Sequence, residues 1–295
     1  MNADPPRWVE ISVLTSPFAA EAVAAILLEA RTGGVVEEIP APGQVRLRAY
    51  LPLGPATPVT IETITRRIRV LPEAGIDLGP GAIDLREMDA ENWATSWRAY
   101  FKTVHIGRRL VIKPTWERYE PREGEVVVEL DPGMAFGSGL HPSTRQCLQV
   151  VEAEVRGGEV VFDVGTGSGI LSLAAAKLGA VRVEAADIDP IAVEVARRNA
   201  AYNAVADRVR VHEGSLLEGF DDRADLILAN ISGEAAAELL PQVPPRMAPG
   251  ARVVVAGMTA EGYRLVMRAA QAAGLHGTRL LREEEWRCIA FTASS

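Results

Sequence analysis

Cysteine is nearly absent: 295 residues contain two, Cys147 and Cys288. One possible pair is too few for a disulfide framework or a structural zinc site, so both are expected as reduced thiols in packed surroundings. An excess of positive charge is also lacking. Thirty-one Lys and Arg face 39 Asp and Glu, a net charge of −8, and residues 1–90 share the imbalance with 8 basic against 12 acidic side chains. Such a chain repels phosphate backbones, so direct nucleic-acid binding is not expected, and a partner rich in lysine or arginine is electrostatically favoured. No uncharged apolar run reaches the roughly 18 residues of a membrane span. The opening MNADPPRWVE has neither the basic nor the apolar region of a secretory signal. A cytoplasmic protein without membrane contact is the resulting expectation. Internal repeats and low-complexity tracts do not stand out.

What is present is an ordinary globular mixture, 48% hydrophobic and 24% charged, with room for about two domains at roughly 150 residues each. Residues 7–13 alternate as a strand, 17–31 read as a helix opened by Pro17, and 35–39 and 45–51 read as strands around a Pro-Ala-Pro-Gly turn. A second helix follows over 57–70, with Val59, Ile61, Ile64 and Ile68 at helical spacing, and a last strand over 83–86. Strand, helix, strand, strand, helix, strand is the ferredoxin-like order, which predicts a small α+β domain over residues 1–86. Residues 87–105 place Trp93, Trp97 and Tyr100 or Phe101 on one face of a predicted connecting helix.

The remainder, 106–295, alternates strands (160–164, 182–187, 208–212, 225–229, 252–257) with helices (169–179, 190–202, 233–241, 260–273), and a final strand at 287–292 can close the sheet edge. This predicts a parallel, doubly wound α/β sheet with its ligand at the carboxyl ends of the strands.

One segment of that domain is the most informative. Asp163-Val164-Gly165-Thr166-Gly167-Ser168-Gly169 follows a strand and opens a helix. The G-x-G-x-x-G of nicotinamide enzymes fails here, because its sixth position is Ile170. What stands is D-x-G-x-G-x-G, in which the acid repels a pyrophosphate and suits a cationic or amine-bearing ligand. S-adenosylmethionine, without phosphate and with a sulfonium and an α-amino group, meets that description, and the loop resembles the first motif of Rossmann-like class I methyltransferases. Asp187 ends the next strand 22 positions beyond Gly165, where an acid can accept from ribose hydroxyls. Asp189, before Pro190, reads as a helix cap. Glu213, Ser215 and Leu216 fall where groups reach an adenine, although a solvent-facing loop explains them equally. Asn230 ends the fourth strand, where its amide oxygen can accept from an incoming amine or simply cap a turn.

Taken together, NWATSWRAYFK, DPGMAFGSGLHPSTR, DVGTGSGILSLAAAKLGA, DIDPIAVEVARRNA and LILANI resemble the ribosomal protein L11 methyltransferases, bacterial protein-lysine methyltransferases, over about residues 87–292. The resemblance implies an S-adenosylmethionine-dependent enzyme whose first domain recognises the substrate. It also implies transfer to lysine side chains and the α-amino terminus of ribosomal protein L11. Thr144, Gly165, Asp187 and Asn230 match the family's cofactor-contacting positions; Gly167 and Asp163 join them as loop residues, and Asn230 is the residue expected to orient the amine. The chain has Ser138 and Ser143 where the family's loop has threonine, which keeps the hydroxyls. His141 in the same loop is either a base or a structural residue. A related methyltransferase acting on another protein, a nicotinamide oxidoreductase and a ribosome-binding module stay as alternatives.

Overall fold

A computed structural model of the chain describes residues 7–30, 32, 35–88, 101–131 and 141–293. It divides into two units, Met1–Phe101 and Lys102–Ser295.

The first unit contains β1 (Trp8–Thr15), α1 (Pro17–Glu29), β2 (Val35–Ala41), β3 (Gln44–Pro52), α2 (Thr57–Arg69) and β4 (Ala82–Met88). Ser16 caps α1 by accepting from the Ala19 N–H. The four strands are antiparallel in the order β2-β3-β1-β4, the ferredoxin-like arrangement. Alternate residues of β1 and β3, among them Ile11, Val13, Leu47 and Ala49, form a core with Val23 and Leu27 of α1 and with Ile64 and Ile68 of α2. Each such side chain contributes about 1.5–3 kcal/mol on burial. Val59 was expected on this face but is 66% exposed. It sits two residues before Ile61, on the far side of a 3.6-residue period.

The helix expected over 87–105 falls mostly on residues 89–100, which lie outside the described residues together with Trp93, Trp97 and Tyr100. At its described ends, residues 87–88 and 104–105 are strand instead, and residues 101–103 belong to neither a helix nor a strand. Glu87 and Met88 continue the register of β4 on β1, opposite Val9 and Trp8, and Val104 and His105 open β5.

The second unit is the Rossmann-like domain. It comprises β5 (Val104–Ile106), β6 (Leu110–Pro114), β7 (Val126–Leu130), α3 (Pro142–Glu154), β8 (Val160–Val164), α4 (Ile170–Leu178), β9 (Arg182–Asp187) and α5 (Pro190–Tyr202). Then follow β10 (Val209–Glu213), β11 (Ala224–Asn230), α6 (Gly233–Leu239), β12 (Met247–Met258), α7 (Ala260–Ala272), β13 (Leu275–Glu283) and β14 (Trp286–Ala293). Seven strands form one sheet in the order β10-β9-β8-β11-β12-β14-β13. Strands β8 to β12 are mutually parallel, and β14 runs antiparallel to both β12 and β13. The final strand therefore does not form the sheet edge as expected: β14 is interior, and β13, unforeseen, lies outside it. The strands β5, β6 and β7, also unforeseen, form a separate small sheet.

Chain order reverses between β8 and β11, whose neighbours diverge to either side. A crevice opens at the carboxyl ends of strands at such a switch point. Cys147 and Cys288 are free and buried, as expected, and the Cys147 thiol is pushed well up by its hydrogen bond to Cys288 and by burial. Among the described residues no helix is long and apolar enough to cross a membrane.

Candidate functional site

Strand β8 delivers Asp163 and then the glycine turn to the switch point. Gly165 has φ +72°, and a Cβ there would lie 2.5 Å from Ile231 Cγ2. Both backbone conformation and packing therefore require glycine. Gly169, with φ +86°, lets α5 approach, since a Cβ would meet Ala196 Cβ at 3.1 Å.

Four of the turn's N–H groups are committed within the protein. Gly165 and Thr166 both donate to the Ala186 carbonyl, at 2.9 and 3.0 Å, and Gly169 donates to Thr166 O at 2.9 Å. The Gly167 N–H donates to Asp187 Oδ2 at 2.9 Å. Asp187 Oδ1 accepts from the Asp189 N–H at 3.0 Å, so this carboxylate ties the glycine turn to the end of β9. Parallel pairing sets Glu213 beside Asp187, and Glu213 and Ser215 are exposed while Leu216 is half-buried. Asp189 caps α5 by accepting from the Ile191 N–H at 2.9 Å, as read from its place before Pro190.

Asp163 lies on β8, just before the turn. It is fully buried, and its Oδ2 accepts from Thr166 Oγ1 at 2.7 Å, Ser172 Oγ at 2.6 Å and the Ser172 N–H at 3.2 Å. Burial pushes its pKa up, against those hydrogen bonds. Through Oδ2 it braces the loop against α4, while its Oδ1, also buried, has no hydrogen-bond partner.

Asn230, at the end of β11, donates from Nδ2 to Thr144 Oγ1 at 3.2 Å. Its Oδ1 is buried and has no hydrogen-bond partner. An orphaned acceptor costs about 1–3 kcal/mol, so such an atom calls for an explanation, and a ligand that donates to it is one. Gly257 on β12, with φ +85°, keeps room there, because a Cβ would stand 3.0 Å from that oxygen. Thr144, Asn230 and the turn thus converge: Thr144 touches Asn230, and the next residue, Ile231, packs over Gly165.

Known proteins resemble the chain over nearly its whole length. The profile of the family described as ribosomal protein L11 methyltransferase (PrmA) matches residues 7–294. The ribosomal protein L11 methyltransferase of Pelotomaculum thermopropionicum is 43% identical, over 97% of this chain and 98% of the relative. That of Caldanaerobacter subterraneus subsp. tengcongensis is 37% identical, over 96% and 98%. The chain belongs to this family. A solved ribosomal protein L11 methylase from Lactobacillus delbrueckii subsp. bulgaricus superposes with a TM-score of 0.63 at 32% identity, covering 66% of this chain and all of that one.

Within this L11 methyltransferase fold, two residues escaped the sequence reading. Asn199 of α5 is fully buried. It donates to Ser168 O at 2.9 Å and Asp131 O at 3.0 Å, and accepts from the Asp131 N–H at 3.1 Å. It fastens the glycine turn to the end of β7. The available signal was two asparagines, Asn199 and Asn203, four residues apart on an otherwise apolar helix face. Gly257 was visible only as the end of the run Val253-Val254-Val255-Ala256.

His141 is a cap. Its side chain accepts from the Ser143 N–H, Nδ1 lies 2.7 Å from Ser143 Oγ, and its ring meets Trp286 edge-on with centroids 4.4 Å apart. With Nδ1 accepting, the proton of the neutral ring resides on Nε2, so a role as base would break the cap. Burial and then Arg145 lower its pKa, against Glu285 and Glu283. The unfolded chain consequently binds the proton first as pH falls through the ordinary histidine range, and stability declines there. Thermal melts at pH 7.5 and 5.5 should show a larger loss for the natural protein than for His141→Asn, which keeps a capping acceptor. Equal losses would remove His141 from the acid sensitivity.

Proposed function

We propose that this protein transfers methyl groups from S-adenosylmethionine to amines of ribosomal protein L11, both lysine side chains and the α-amino terminus, in the cytoplasm. Residues 1–86 would recognise the substrate and residues 106–295 would carry out the transfer. The cofactor would be held by Thr144, Gly165, Gly167, Asp187 and Asn230.

The observation that carries this reading is the commitment of the turn's N–H groups from Gly165, Thr166, Gly167 and Gly169 to protein acceptors. A diphosphate needs several such donors directed outward. A ligand without phosphate does not, and the carboxylate of Asp187 matches hydroxyl or amine donors. These residues therefore fit S-adenosylmethionine better than a dinucleotide.

When bound, the cofactor would supply an electrophilic methyl group on a sulfonium, and the thioether left after its transfer is neutral and needs no acid. The protein's task is alignment. A lysine ammonium, with pKa about 10.4, cannot attack before it loses a proton, and partial desolvation in the crevice favours the neutral amine. The unpartnered Oδ1 of Asn230 supplies an acceptor that would hold that amine by an N–H hydrogen, while Thr144 fixes the amide's other end.

Calorimetry of the full chain with S-adenosylhomocysteine and with NAD tests the cofactor. Incubation with labelled S-adenosylmethionine and purified ribosomal protein L11, followed by intact mass, tests the substrate. Binding of the thioether alone and stepwise methyl increments on L11 are the expected results. Uptake of NAD, or transfer to other proteins but not to L11, would overturn the reading.

A further inference from the structure

Strands β13 and β14 meet in a two-residue turn, Glu284-Glu285, with Glu284 at φ +52°. This hairpin tip grips the first turn of α3, the turn that carries Thr144. The Arg145 guanidinium pairs with the Glu283 carboxylate. Gln146, 2% exposed, donates to Trp286 O at 3.4 Å.

These contacts close a ring around the site. Thr144 bonds Asn230 at the end of β11; β11 pairs with β12 at Asn230–Ala256; β12 pairs with β14 at Met258–Arg287; and β14 returns through the hairpin to α3. Besides the Glu283 link, this end of α3 is held to the hairpin side by the long Gln146 amide hydrogen bond, the His141–Trp286 ring contact and the buried Cys147–Cys288 pair.

We propose that Glu283 is a positioning residue for methyl transfer, acting through Arg145 to fix Thr144 against the Asn230 amide and so to hold the Asn230 acceptor in line for the amine. This rests on the function proposed above. Both side chains of the pair are about one-third exposed, and ion pairs of that exposure add little to stability. Small misplacements at a reacting centre are nonetheless costly, up to about 100-fold for a displacement on the order of 1 Å. The pair's effect should therefore appear in turnover and hardly in melting.

The test compares the natural full chain with Glu283→Ala, Glu283→Gln and Arg145→Gln. It measures kcat and KM for ribosomal protein L11, Kd for S-adenosylhomocysteine, and Tm. Glu283→Ala and Arg145→Gln should each lower kcat about 10-fold, with KM and Kd within about two-fold. Glu283→Gln, which keeps an acceptor for Arg145, should recover at least about half of the turnover. A rise in KM with kcat unchanged, and Gln no better than Ala, would make Glu283 an electrostatic attractor of the substrate and overturn positioning. Unchanged turnover in all three variants would do the same. If Glu283→Ala melts so early that its turnover is uninterpretable, Arg145→Gln decides by the same criteria. Failure of the natural chain to methylate L11 would sink the underlying reading and this inference with it.

Discussion

Asn230→Ala is expected to lower kcat for methyl transfer by about 100-fold and also to weaken S-adenosylhomocysteine binding, since Asn230 is among the residues proposed to hold the cofactor. The Asn230 amide joins two features in one side chain. Its Nδ2 is anchored on Thr144 Oγ1, and its Oδ1 is buried without a partner. Alanine removes the acceptor that orients the amine, and misorientation at the reacting atoms costs on the order of 10² in rate. The stability cost should be modest, because the mutation removes one orphaned polar atom but leaves the buried Thr144 Oγ1 without its donor. Asn230→Asp separates orientation from charge. The Thr144 hydroxyl can donate to the new carboxylate, so an anchored acceptor survives, but its negative charge stabilises the ammonium form of the substrate. Its rate profile should shift toward higher pH, with activity partly recovered at the alkaline end. Single-turnover rates across pH check both variants; a kcat for Asn230→Ala within three-fold of the natural protein would remove Asn230 from the reaction.

That this residue could be singled out at all reflects where sequence is legible. A glycine that must adopt positive φ, an acid closing a buried strand and an amide ending another are chemically conspicuous against apolar runs, and Gly165, Asp187 and Asn230 converge at the switch point. Direction is harder to read than identity. In β8, Phe162 and Val164 join the core on one side of the sheet while Val161 joins the other. By the two-residue alternation of a strand, Asp163 faces the Val161 side. There Ser172, nine residues on, reaches back to its carboxylate, a partner no local motif announces. The small sheet stayed hidden for a different reason. Its strands have three to five residues, too few to display a period, and β6 and β7 pair in parallel across an intervening loop. Strand β13 lay hidden behind the exposed, charged residues of an edge strand, Arg279 and Arg282 among them.

The two acids of the site give the second large effect, and it should divide between them. Asp163→Ala strands the Ser172 N–H, the Ser172 hydroxyl and the Thr166 hydroxyl in a fully buried place. At about 1–3 kcal/mol for each unsatisfied group, partly relieved by rotation of the hydroxyls, a loss of about 4 kcal/mol is expected. For a domain of this size that corresponds to a fall in Tm of about 10 °C. Asp187→Ala also releases two donors, the Gly167 and Asp189 N–H groups. Asp187 is only partly buried, however, so water can replace its oxygens, and the melting point should move by only a few degrees. Its loss should appear in ligand affinity, because hydrogen bonds to a charged acceptor contribute about 1.5–3 kcal/mol. Affinity for S-adenosylhomocysteine should therefore fall about 10- to 100-fold. Differential scanning calorimetry and titration calorimetry on the two variants read the two quantities separately. The opposite pattern, with weak binding but full stability in Asp163→Ala and an early melt in Asp187→Ala, would mean that the buried acid faces the ligand and that the strand-end acid is the brace.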